Sequence, residues 1–165
     1  MRHINLILIL QLLTLLALAN GAPLIAKKIL GTAFAYPLDN GVTLADGQPL
    51  FGCSKTIRGI VLSIAVTTFA APWAGLSPAA GLLLSAVAMI GDLVSSFIKR
   101  RMKLAPGSMA LGLDQIPESF LPAIAAHSIL PVSALDAAIV SGFFFLGELA
   151  VSRALFALNI RDRPY

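Results

Sequence analysis

From Ile4 to Ile25 the chain carries no charged side chain. A helix crossing the hydrocarbon core of a bilayer needs about 20 mainly apolar residues. Inside that core the backbone polar groups must be satisfied within the protein, so few folds remain open. Four further apolar runs follow, over Gly59 to Leu76, Ala79 to Ile98, Ile116 to Leu130 and Leu135 to Leu158. Charged residues make up 12% of the chain, against roughly 25% in soluble domains. The expectation is an all-α integral membrane bundle of about five transmembrane helices, one domain over residues 1–165. The first run ends in the small residues ALANGA, as a cleaved leader would. Its n-region holds only Arg2 and His3 and four runs follow, so it is read as a retained helix. The fourth run is the weakest, with Pro117, Pro122, Pro131, Glu118 and His127. Prolines are tolerated in membrane helices because neighbours re-satisfy the freed backbone groups.

The net charge is +4 and the bases are clustered. Lys27, Lys28, Lys55 and Arg58 lie between runs one and two. Lys99, Arg100, Arg101 and Lys103 lie between runs three and four, and the tail adds Arg161 and Arg163. The connections after runs two and four hold no base. Positive-inside bias then puts two cytoplasmic loops at about residues 27–58 and 99–115, the C-terminus inside and the N-terminus outside. The chain is expected in the cell (inner) membrane with its polar chemistry facing the cytoplasm. The short outer connections argue against an extracellular binding function. One cysteine, Cys53, permits no internal disulfide and no Cys/His zinc spacing.

The stretch GDLVSSFIKRRMKLAPG, residues 91–107, sets an acid inside an apolar run and four bases just beyond it. On a helix Asp92, Ser96, Lys99 and Lys103 share one face. Asp92 then lies about 10 Å below Lys99. A KRR cluster alone reads as a snorkelling anchor. An ionisable group at the depth of Asp92 needs an ion partner, a metal or a substrate.

The first basic loop contains YPLDNGVTLADGQPLFGCSKTIRGI, residues 36–60. Asp39-Asn40-Gly41 and Asp46-Gly47 are turn signals. The loop then delivers Lys55, Thr56 and Arg58 to the start of the second run. Cations and a hydroxyl at a helix N-terminus suit phosphate. Gly47 and Gly52 have P-loop spacing, but Cys53 stands where the lysine belongs and no buried strand precedes them, so a P-loop is rejected. A third polar segment, GLDQIPES over residues 112–119, puts Asp114 and Glu118 at the start of the fourth run, where an acid is also an ordinary helix-end residue.

Acids (Asp92, Asp114, with Asp46 and Glu118 as further candidates) thus fall at the same membrane depth as Lys55, Arg58, Lys99 and Arg100. Carboxylates with oxygen-only partners suit Mg²⁺ or Mn²⁺ bridging substrate phosphates. The cations suit the remaining phosphate charge. His3 and His127 both lie outside these segments, so no Ser-His-acid arrangement is suggested. The expected chemistry is phosphoryl or nucleotidyl transfer to a lipid phosphate, governed by positioning and charge neutralisation.

PLDNGVTLADGQPLFGCSKTIRG, GDLVSSFIKRR and LDQ, in that order, resemble the motifs of the CDP-archaeol synthases. That family is a group of CTP:lipid-phosphate cytidylyltransferases with distant similarity to the CDP-diacylglycerol synthases. The matches run from Pro37 to Gln115. The resemblance implies that CTP and a lipid phosphate give a CDP-lipid and pyrophosphate with Mg²⁺ required. It implies metal-binding carboxylates at Asp92 and Asp114 and a catalytic role for Lys99. Lys55, Thr56 and Arg58 would hold CTP phosphates. Ser96, Lys99 and Arg100 would bind phosphates of CTP or the lipid, and Asp46 would be a site acid or a loop-ordering residue. One departure stands out. Family members follow Asp-Gln with an apolar residue, Asp and Phe, whereas this chain has Ile116-Pro117-Glu118. The second acid is moved to Glu118 or lost, and ether- and ester-linked lipid phosphates both stay open.

Glu148, near the middle of the fifth run and one turn from Ser152, is read as a helix–helix hydrogen bond or an oligomer contact rather than a site residue. A homo-oligomer therefore stays open, and no nucleic-acid partner is expected. Phe143 to Phe145 read as lipid-facing packing. Trp73 reads as an interfacial anchor. The alternatives are a small membrane transporter subunit, with Asp92 and Glu148 as a charge pathway, and an inactive family member acting as an interaction protein. The CDP-alcohol phosphotransferases need an aspartate run that is not present.

Overall fold

The computed structural model describes residues 4–157. The termini that carry Arg2, His3, Leu158, Arg161 and Arg163 lie outside the described residues. Five α-helices follow one another: α1 (Leu6–Leu30), α2 (Ile57–Ala70), α3 (Pro78–Arg101), α4 (Gln115–Ala125) and α5 (Ala134–Ala157). A single 3₁₀ turn, Ala126–Ser128, extends α4. The all-helical expectation holds, and each apolar run contains one helix.

The helices differ in reach. Three are long and apolar enough to cross a membrane: α1, α3 and residues 134–154 of α5. α2 has 14 residues and α4 has 11. At 1.5 Å per residue those are about 21 and 17 Å long, short of a hydrocarbon core of about 30 Å. The second run therefore stops being helical six residues before its expected end at Leu76. Pro72 and Gly75 (φ +77°) turn the chain there instead. In the fourth run Pro122 lies within α4, and the helix tightens to the 3₁₀ turn soon after it.

The ends are built from ordinary capping chemistry. Asn5 accepts from the Leu8 N–H at 3.1 Å, and Ser77 accepts from the Ala80 N–H at 3.2 Å. Ser133 and Asp136 form a reciprocal box at the start of α5. Each satisfies donors that a helix start leaves orphaned.

α1 buries Leu8, Leu12, Leu15, Leu16 and Ala19, a stripe at helical spacing. The stripe packs with Leu84 and Ala88 of α3, Ala123 of α4 and Val140 of α5. Pro23 deprives the Ala19 carbonyl of its intrahelical donor. Ser63 Oγ of α2 fills the gap at 2.7 Å. α3 packs against α1, α2 and α4, and two of its glycines set how closely. A Cβ on Gly81 would lie 2.7 Å from the Thr67 carbonyl oxygen of α2, and one on Gly91 would overlap the Pro117 carbonyl of α4. Small residues at membrane-helix crossings permit this backbone approach.

The connections divide unequally between the two ends. Short turns join α2 to α3 and α4 to α5. Long polar loops, residues 31–56 and 102–114, join α1 to α2 and α3 to α4, and they meet at the opposite end.

Candidate active site

The first loop is shaped by one buried acid. Asp39 accepts from the N–H of Gly41 (3.1 Å), Phe51 (2.9 Å) and Gly52 (2.8 Å). Burial opposes its ionisation, yet these backbone donors outweigh it and hold the carboxyl below its ordinary pKa. The chain then closes on itself, with the Leu38 N–H on the Lys55 carbonyl and the Ile57 N–H on the Tyr36 carbonyl. Lys55 emerges beside α3 as a result. Gly52 adopts φ +92°, which favours glycine. A Cβ there would sit 3.2 Å from Pro106 and 3.4 Å from Arg100 Nη1.

Lys55 Nζ lies 2.5 and 2.6 Å from the two oxygens of Asp92. Lys99 Nζ lies 2.6 Å from Asp114 Oδ1 and donates to the Ser108 carbonyl at 2.8 Å. Arg101 reaches Asp46 Oδ1 at 2.7 Å and the Pro49 carbonyl at 2.6 Å, with its guanidinium 5.2 Å from the centre of the Phe97 ring. Lys99, only 6% exposed, is one of the most deeply placed cations.

Arg100 is 1% exposed. One nitrogen donates to the Ala105 carbonyl at 2.8 Å, while Nε and Nη1 have no hydrogen-bond partner. Leaving donors of a buried charge unpaired costs free energy, and these two nitrogens of the guanidinium are such donors. Its fork geometry matches phosphate.

The structure sorts the expected site residues. Asp92, Lys55, Lys99, Asp114, Arg100 and Asp46 gather at one end, and Ser96 is buried one turn from Asp92 and Arg100 on α3. Thr56 is the N-cap of α2, accepting from the Gly59 N–H at 3.1 Å, so its oxygen already has a structural task. Arg58 is placed elsewhere: it donates to the Ala33 and Gly31 carbonyls at the end of α1. It therefore ties α1 to α2 rather than joining the acids. The helical face drawn through Lys103 also ends early. α3 stops at Arg101, and Lys103 turns left-handed (φ +58°). Asp114 occupies the N-cap position of α4 but makes no cap bond. Its Oδ2 instead accepts from the Ala110 N–H at 2.8 Å.

Three residues gained importance beyond their sequence reading. Asp39 looked like a local turn residue, because its partners at 51 and 52 are distant in sequence. Arg101 looked like an anchor. Glu118, read both as a helix-end acid and as a further site candidate, is 6% exposed and interacts with Asp92. Glu148 of α5 lies within electrostatic range of Glu118, across the α4–α5 contact. Among the described residues no three His, Cys, Asp or Glu side chains converge as a metal cage. Mg²⁺ does not require one, since it takes one or two carboxylates together with water and substrate phosphates.

A family model described as CarS-like, CDP-archaeol synthase, matches residues 76–165, just over half of the chain. The chain belongs to the CDP-archaeol synthase family. The match covers the α3 and α4 part of the site, and Lys55 and Asp46 lie before it. A CDP-archaeol synthase of Pyrococcus furiosus is 40% identical over 107 residues, 59% of this chain and 60% of that protein. One of Pyrobaculum islandicum is 34% identical over 116 residues, covering 67% and 68%. One of Thermofilum pendens is 29% identical over 154 residues, covering 89% and 75%. The chain thus aligns with between three-fifths and three-quarters of the length of these relatives. A solved structure, described as an intramembrane enzyme for archaeal membrane lipids biosynthesis, superposes with a TM-score of 0.69 at 25% identity. It covers 83% of this chain and 90% of that one. The intramembrane enzyme therefore shares the overall helical fold of this chain.

Proposed function

We propose that this family member is a CTP-dependent cytidylyltransferase that forms a CDP-lipid and pyrophosphate from CTP and a membrane lipid phosphate. The observation that carries the reading is the buried Arg100, with two unpartnered guanidinium nitrogens, beside the Lys55–Asp92 and Lys99–Asp114 pairs. Anionic ligands fit such a place, and family membership supports CTP and a lipid phosphate as those ligands.

Arg100 donates its free N–H groups to phosphate oxygens, and Lys99 adds charge beside it. Lys55 exchanges Asp92 for a phosphate of CTP, and Ser96 lines the same face of α3. Asp46 acts through Arg101, holding the first loop against the helix end. An oxygen of the lipid phosphate attacks the α-phosphorus of CTP. The new P–O bond forms as the bond from the α-phosphorus to the bridging oxygen breaks, and pyrophosphate leaves with that electron pair. The attacking phosphate is already ionised at neutral pH, so the chain need not supply a strong base. The oxygen-only donors beside Asp92 fit Mg²⁺ or Mn²⁺, which when bound would neutralise phosphate charge and favour the leaving pyrophosphate. The two shorter helices complete a five-helix bundle in the cell membrane, with the loops and C-terminus cytoplasmic, where CTP is present.

The test supplies purified protein in detergent with labelled CTP, Mg²⁺ and either ether- or ester-linked phosphatidic acid. CDP-lipid from either substrate supports the reading, and the preferred one identifies the linkage. Folded protein that makes neither product with Mg²⁺ or Mn²⁺ overturns it in favour of an inactive family member.

A further inference from the structure

We infer that Glu118, together with Asp92, supplies the protein ligands of the divalent cation, and that Asp114 stays outside that set. The inference rests on the cytidylyltransferase reading of this end of the bundle, and it changes the expected pair of metal carboxylates.

The backbone crossing of α3 and α4 explains the placement. Gly91 lets the Pro117 carbonyl press against α3 and brings the Glu118 backbone N within 3.0 Å of where a Gly91 Cβ would stand, so the next residues, Asp92 and Glu118, come close enough for their carboxyls to interact. Two carboxylates held together repel unless a cation or a proton lies between them. Lys55 is the ammonium in contact with Asp92. It takes both Asp92 oxygens, at 2.5 and 2.6 Å, and so stands where a cation belongs. Glu148 adds further negative charge within range of Glu118. Lys99 adds positive charge at longer range from Asp92, and a doubly charged cation is the alternative to a proton that lets both carboxyls stay ionised. Mg²⁺ bound by one or two carboxylates, with substrate phosphates completing its shell, fits that need.

Asp114 is placed differently. Oδ1 contacts Lys99 and Oδ2 accepts from the Ala110 N–H. Recruiting it to a metal would release a buried lysine and the loop that it holds. Asp92 has to release only Lys55, which the proposed reaction needs for phosphate. Cation entry and Lys55 release are then one exchange.

The probe is Mn²⁺ alone, titrated into the full chain in detergent with the free-ion electron paramagnetic resonance signal as the readout. Glu118→Gln and Asp92→Asn are expected to weaken Mn²⁺ binding about 10-fold or more. Asp114→Asn is expected to leave it within about 3-fold of wild type, below that range. Lys55→Ala is expected to tighten it by removing the competing ammonium, a sign that a merely structural role for these residues would not give. Glu118→Asp, which keeps a carboxylate, should bind better than Glu118→Gln, and it carries the test if the glutamine variant fails to fold. Wild-type Mn²⁺ affinity in Glu118→Gln, loss in Asp114→Asn, or no binding by the wild type overturns the inference. CDP-lipid formation is measured on the same wild-type preparation. Product formation with Mn²⁺ binding indifferent to Glu118 sinks the metal assignment alone. Glu118-dependent binding without CDP-lipid sinks the reaction alone.

Discussion

Single residues set the charge balance of the site. Asp92→Asn removes the partner of Lys55 and a carboxylate of the proposed cation site. It should lower CDP-lipid formation by about 100-fold or more, a loss equivalent to about 3 kcal/mol of transition-state stabilisation, while the protein still inserts. Near-normal turnover would take Asp92 out of the chemistry. Lys55→Ala should raise the KM for CTP more than it lowers kcat, and an unchanged CTP response would count against phosphate contact. Asp39 gives a pH prediction. Its folded pKa lies below the unfolded value of about 3.9. The stability it contributes is therefore complete above that value and is lost as pH falls through the folded pKa. Thermal unfolding of wild type and Asp39→Asn should differ at neutral pH and converge on acidification. A gap that stays constant would remove the carboxylate from loop ordering. At this scale the sequence was informative where the signal was periodic. Asp92, Ser96 and Lys99 share a face because α3 is helical throughout that stretch. Arg58 was harder to place, because a cation at a helix start is equally suited to a neighbouring helix end, where its hydrogen bonds lie. Asp39 was hidden because its bonds cross a loop whose path no local pattern encodes.

Between elements, two features replace the lost driving force of apolar burial in lipid. One is close approach at glycine, and the other is serine repair of a proline gap. Ser63→Ala leaves the Ala19 carbonyl without its donor and should cost about 1–3 kcal/mol. Pro23→Ala in that background restores an intrahelical N–H and should recover much of the loss, so the two changes should be strongly non-additive in a double-mutant cycle. Additive losses would show that Ser63 acts elsewhere. The apolar runs made all five helices legible. Their lengths were less legible, because an apolar composition continues through Pro72 and Ile129 after hydrogen bonding has changed. The glycine crossings could not be read at all, since Gly91 differs from Gly142 only in what lies against it.

Across the whole molecule, polarity is one-sided. The long loops and the ion pairs share one end, while the turns at the other end are short. Cys53 is exposed on the first loop and is the chain's one cysteine, so it reports orientation directly. A membrane-impermeant maleimide should label it in inverted vesicles and leave it unlabelled in intact cells. The reverse pattern would invert the proposed topology. Loop charge made this asymmetry readable from sequence, because bases near helix ends are themselves what fixes orientation.

The Lys55–Asp92 pair also bears on how such a chain is made. Its acid rides in on α3, whereas its ammonium waits on the segment ahead of α2. An acidic side chain costs about 2.5–3.5 kcal/mol at the centre of an inserting helix. That cost is relieved when α3 docks beside the loop that carries Lys55. Lys55 is made before α3, so the partner is already present when the acid enters the membrane. An ion pair formed in that order fastens the first loop to α3 as the helix takes its place.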